Sequence, residues 1–72
     1  MMDAKKRERI DAQVMTALNR GITSRKSISQ TTGIDALDVA ESLKRLERQG
    51  YAEQMFGDWN LTELGQEFAG DE

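Results

Sequence analysis

Thr32-Gly33-Ile34-Asp35-Ala36-Leu37-Asp38-Val39-Ala40-Glu41-Ser42-Leu43-Lys44-Arg45-Leu46-Glu47-Arg48-Gln49-Gly50-Tyr51-Ala52 is the stretch on which the fold turns. Thr32-Gly33 marks a tight turn, and Asp35 follows as a helix N-cap whose carboxylate accepts from the free N–H groups of the first turn. Asp38, three residues on, partly completes a capping box, with a shorter arm than the usual Glu or Gln. Ala36, Val39, Ala40, Leu43 and Leu46 recur at helical spacing and mark a buried stripe. Gly50 suits the left-handed position just past a helix end. Tyr51-Ala52 then opens an extended segment. The reading is a helix from Ala36 to Gln49, delivered by a sharp turn and leaving into a strand.

Beyond that helix, Tyr51 to Met55 and Trp59 to Leu61 flank Phe56-Gly57-Asp58, which reads as a β-hairpin. Tyr51, Glu53 and Met55 point to one face and Ala52 and Gln54 to the other, while Trp59 and Leu61 return to the core. Thr62 is the expected N-cap of a short last helix, with Leu64 and Phe68 four apart on one face and Gly70-Asp71-Glu72 as a fraying tail. Before the stretch, residues 3 to about 20 read as a first helix, capped by Asp3, ended by Gly21, and carrying Ile10, Val14, Ala17 and Leu18 as its stripe with Met15 beside it. Ile22 is a short strand or a core plug. Thr23 or Ser24 caps a second helix running to about Thr31, poor in helix formers, with Ile28 its one strong core residue. Its Ser and Thr side chains compete with the backbone for hydrogen bonds, so it is expected to be the least stable element.

The order is helix, helix, helix, hairpin, short helix: a mainly α fold with a small β-hairpin, read as one domain over residues 1–72. A chain of 72 residues is near the lower limit for folding alone, so dimerisation is attractive as added stabilisation. It has no cysteine and no histidine, which removes disulfides, the commonest metal ligand, the commonest general base and the best nucleophile. No enzymatic activity and no cofactor are expected. No apolar run approaches the roughly 20 residues of a membrane span, and Lys5, Lys6, Arg7 and Arg9 precede a mixed amphipathic segment rather than a signal peptide. A cytoplasmic protein is the expectation.

Charge is unevenly placed. Residues 1–34 hold seven Lys/Arg against three acids, and residues 35–72 hold three against ten, giving +4 and −7 for an overall −3. Such asymmetry suits a phosphate backbone against the first half, or pairing of two copies head to tail.

In Thr32-Gly33-Ile34-Asp35, in Val39, Leu43 and Leu46, in Gly50-Tyr51-Ala52 and in Trp59-Asn60-Leu61-Thr62-Glu63-Leu64-Gly65, the chain resembles the winged helix-turn-helix family. The likeness is to small transcription regulators of the MarR and ArsR kind, and covers roughly Ile22 to Phe68. It implies a three-helix core, a two-stranded wing and a short C-terminal helix. It also implies double-stranded DNA as partner, the third helix entering the major groove and the second crossing the backbone. Carried over, Ser24, Arg25, Lys26 and Ser27 are the phosphate contacts, and Ala36, Leu37, Asp38, Glu41, Ser42 and Arg45 lie on the groove side of the third helix. Lys44 and Arg48 are placed for the backbone or for pairing with Glu41 and Glu47, and Arg45 is the one strong guanine reader. A homodimer would pair through the first and last helices, with Met2, Met15, Leu64 and Phe68.

The groove-side residues depart from the family pattern, since Asp38 and Glu41 repel phosphate and Gly57-Asp58 lacks the wing-tip cation. That keeps a second expectation open: a protein-interaction module using the acidic third helix with Leu37 and Phe56. Leu37 either packs on the second helix or Ile34, or stands exposed. The aromatics are expected to be core and wing packing, with Phe56 the best exception.

Overall fold

The computed structural model describes residues 4–69, so the expected Asp3 cap, the Met2 dimer contact and the Gly70-Asp71-Glu72 tail lie outside the described residues. Four helices and one antiparallel hairpin follow in the order α1 (Ala4–Asn19), α2 (Arg25–Thr32), α3 (Ala36–Arg48), β1 (Ala52–Met55), β2 (Asp58–Leu61) and α4 (Glu63–Ala69).

α1 buries Ile10, Val14, Met15, Ala17 and Leu18, a stripe at helical spacing. Its end is closed by two carbonyl-capping bonds, Gly21 N–H to the Leu18 carbonyl at 3.0 Å and Ile22 N–H to the Ala17 carbonyl at 3.1 Å. Ile22 forms no strand. It packs half-buried against the core, and the adjacent Thr23 carbonyl accepts from Trp59 N–H at 2.8 Å. The link between α1 and α2 is thereby tied to the hairpin.

α2 has one buried side chain, Ile28, and hydroxyl groups at its two ends hold it in place. Ser24 is the N-cap, its Oγ accepting from Ser27 N–H at 3.1 Å. At the other end, Thr32 Oγ1 donates to the Ile28 carbonyl at 2.7 Å and accepts from Ile34 N–H at 3.2 Å, while Ser29 Oγ donates to the Ile34 carbonyl at 2.5 Å. The hydroxyls that lower helix propensity are the ones that fix the turn into α3.

That turn corrects the expected cap. Asp35 occupies the N-cap position of α3 but makes no side-chain cap bond, so no box forms with Asp38. The Asp35 backbone carbonyl accepts from Val39 N–H at 2.9 Å, and the chain direction is set by Ser29 and Thr32 instead. Along α3, Val39, Leu43 and Leu46 are buried and Ala40 is half-buried, whereas Ala36, expected in the stripe, is exposed. Gly50, at φ 84°, closes the helix: its N–H reaches the Glu47 carbonyl at 3.1 Å and Tyr51 N–H reaches the Leu46 carbonyl at 2.9 Å. A side chain in that left-handed conformation costs about 1–2 kcal/mol.

In the hairpin, Ala52 pairs with Leu61, Glu53 with Asn60, Gln54 with Trp59 and Met55 with Asp58. Cross-strand partners share a face, so Ala52, Trp59 and Leu61 turn to the core while Glu53, Met55, Asp58 and Asn60 turn away. Only Phe56 and Gly57 lie between the strands, with φ of 53° and 85°. Two positive φ values are the signature of the tight primed turn that matches strand twist, a position where Asn-Gly is the usual choice.

Thr62 caps α4 as expected, accepting from Gly65 N–H at 3.1 Å and donating to the Gly50 carbonyl at 2.5 Å. Gly65 is buried against the Tyr51 backbone, and a Cβ there would fall 2.0 Å from the Tyr51 carbonyl oxygen. The close approach requires glycine. One buried cluster joins α1, α2, α3 and the hairpin, and no described helix is long and apolar enough to cross a membrane.

Candidate functional site

The outward face of α3 is set by helical periodicity. Leu37, Glu41, Lys44 and Arg48 fall on one stripe opposite Val39, Leu43 and Leu46, and all four are exposed. Leu37 keeps 66% of its surface in solvent, so it packs on neither α2 nor Ile34 to any large extent. Asp38, half-buried, flanks the stripe, and Ala36 stands exposed at the helix start.

Two residues expected on that face are elsewhere. Ser42 is fully buried, and its hydroxyl donates to Asp11 Oδ1 at 2.5 Å. Arg45 grips the same carboxylate by two bonds, Nη2 to Oδ1 at 2.8 Å and Nε to Oδ2 at 3.3 Å. Both are partly shielded, with side-chain exposures of 24% for Arg45 and 19% for Asp11. The hydrogen bond to Asp11 holds the Arg45 guanidinium above its ordinary pKa against a smaller opposing effect of burial, and the charges of Asp11, Glu41 and Asp38 add to the rise. A forked guanidinium already holding a carboxylate is not free to hold a guanine edge. The groove-side placement of Ser42 and Arg45 is therefore corrected: they strap α3 to α1.

Asp11 is the residue that sequence reasoning passed over. It lies four residues before Met15 and seven before Leu18, on the buried side of α1. A carboxylate at such a position needs a cation and donors, and that requirement was the available signal.

Two other cations, Arg25 and Lys44, line one cleft. α2 presents Arg25, Lys26 and Ser27 in its first turn, all exposed, with Ser24 half-buried as the cap. The Ser24 hydroxyl is engaged with Ser27 N–H, which leaves the Arg25 and Lys26 side chains as the exposed cations at this helix start. Between α2, α3 and the hairpin opens a cleft of about 370 Å³, lined by Ser24, Arg25, Ala40, Leu43, Lys44, Gln54, Gly57 and Trp59. Lys44 Nζ stands 5.9 Å from the Trp59 ring centroid and 3.9 Å from Glu47, in an exposed ion pair that holds it weakly. Arg48 continues the basic edge along α3.

On the opposite side, Met15 is buried in the core, which corrects its placement in a dimer surface. Leu64 and Phe68 are exposed, at 50% and 63%, and the Phe68 ring leans on Tyr51 with centroids 5.2 Å apart. Phe68 borders an open groove of about 700 Å³ between α1 and the Tyr51–Phe68 pair. Trp59 is core as expected, whereas Phe56 is wholly exposed. No family model matches the chain, and no match is found among curated proteins or solved structures.

Proposed function

We propose that this chain is a winged helix-turn-helix protein that binds double-stranded DNA and regulates transcription, probing the major groove with α3 and working as a homodimer. The observation that carries the reading is the cleft between the capped start of α2, α3 and the hairpin, which Arg25 and Lys44 both line. Support also comes from the connection between α2 and α3, a three-residue turn of Gly33, Ile34 and Asp35, as in helix-turn-helix units.

The same geometry supports one mode of binding. With Arg45 and Ser42 committed to Asp11, α3 offers Leu37, Glu41, Lys44 and Arg48 outward, and only the last two attract nucleic acid. Affinity then comes from phosphate contacts, and discrimination between sequences is small. The test is a mobility shift on several unrelated duplexes at low salt. Arg25→Glu with Lys26→Glu is expected to weaken binding to all of them by a similar factor, because phosphates carry no sequence. If the wild type shifts no duplex, the proposal is wrong.

The exposure of Leu37 beside Glu41 and Asp38 favours one second reading, a module that keeps this shape and meets a basic protein surface through α3. Leu37→Glu separates the two: it abolishes a protein complex, while phosphate-led DNA binding loses only the modest effect of one added acid.

A further inference from the structure

Phe56 is both strained and unpacked. Its φ of 53° lies in the left-handed region, which a bulky side chain disfavours. Its side chain touches nothing that would compensate, being fully exposed at the apex of the hairpin. Met55 beside it is half in solvent and also faces away from the core. Asn would serve the turn better and expose less apolar surface. Folding gains nothing from this phenylalanine, so its use lies outside the chain.

We infer that Phe56 is an apolar wedge, which the hairpin tip inserts between base pairs of duplex DNA from the minor groove, unstacking one step and kinking the helix. The inference rests on the DNA-binding reading and adds a contact to it. Position supports it: Gly57 forms part of the cleft that holds Arg25 and Lys44, so cations set on the backbone bring the tip toward the adjoining groove. Charge does not favour the tip, which carries no cation and is followed by Asp58, so any gain there has to come from the ring itself. Such a tip gains little by lying along phosphates, whereas an aromatic ring leading into the base stack is stabilised by the stacking itself. A two-residue turn fixes the backbone that carries the ring, so insertion costs side-chain rotamer freedom but little backbone freedom. Flexible pyrimidine–purine steps, which open most readily, are the preferred sites.

The experiment uses the full chain and a duplex with 2-aminopurine beside a central TA step, read by anisotropy for binding and by 2-aminopurine fluorescence for unstacking. The wild type is expected to bind at low salt and to raise the fluorescence at saturation. Phe56→Asn, which suits the turn and so keeps the fold, is expected to bind about 10-fold more weakly, raise no fluorescence and keep the wild-type salt dependence. Phe56→Trp restores both signals. Equal affinity and equal fluorescence for wild type and Phe56→Asn overturn the wedge alone and leave DNA binding standing. Absence of binding by every variant overturns the DNA reading and the wedge with it.

Discussion

At the scale of single residues, two positions set opposite demands on the backbone. Phe56 is the described non-glycine residue with positive φ, and replacing it with Asn removes a mismatch of about 1 kcal/mol. Phe56→Asn is therefore expected to raise the thermal midpoint by about 4–8 °C, a gain read by circular dichroism. Gly65 behaves in the reverse sense. Alanine in a helix is ordinarily better than glycine by about 1 kcal/mol. At Gly65 the added Cβ would collide with the Tyr51 carbonyl oxygen, and backbone there cannot rotate away as a side-chain tip can. Gly65→Ala is expected to lower stability by about 1–3 kcal/mol in urea unfolding, and an unchanged midpoint would show that α4 does not seat on Tyr51.

At the scale of elements, the strap between α1 and α3 decides what α3 offers to a partner. Asp11→Ala leaves the Ser42 hydroxyl buried without its acceptor and Arg45 without its anion, a loss of about 2 kcal/mol. Arg45→Ala removes part of the same unit, so the double variant should lose clearly less than the two single losses added together, as a double-mutant cycle would show. The raised guanidinium pKa makes this contribution complete below the ordinary arginine value and lost only as pH climbs through the raised one. Deprotonation of Arg45 therefore does not weaken the strap in the neutral range. The strap also marks the limit of what spacing reveals. Val39, Leu43 and Leu46 were legible because periodicity within one helix exposes a buried stripe. Ser42 and Arg45 were not, because their partner stands 31 and 34 residues earlier in the chain and no local pattern links them. The Asp35 cap failed for a related reason: the Ser29 and Thr32 hydroxyls had already fixed the entry to α3. The Thr62 cap was legible, and the α2 cap was narrowed to Thr23 or Ser24, of which Ser24 makes the bond, since a cap bond closes within three residues.

At the scale of the whole molecule, the hairpin, the helix order and the main apolar cluster follow from patterns that each lie within one element. The two faces left open do not. One carries Leu64 and Phe68 on a short helix whose one buried residue is Gly65, an apolar surface suited to a second copy of the chain. If it is the dimer surface, Phe68→Glu gives a monomer in sedimentation equilibrium while leaving the fold intact. The other face holds Arg25 and Lys44 in the cleft, with Lys26 exposed on α2 and Arg48 exposed on α3, in a chain whose overall charge is −3. Local arrangement, not net charge, then governs attraction to an anionic polymer. The decisive measurement is the affinity for one duplex from about 50 to 200 mM salt, compared between the wild type and Arg25→Ala with Lys26→Ala. The proposal predicts tight binding at low salt that falls linearly on logarithmic axes, with a slope shallower by about two in the double variant. Binding that is absent at low salt, or a slope that the two substitutions leave unchanged, would contradict it.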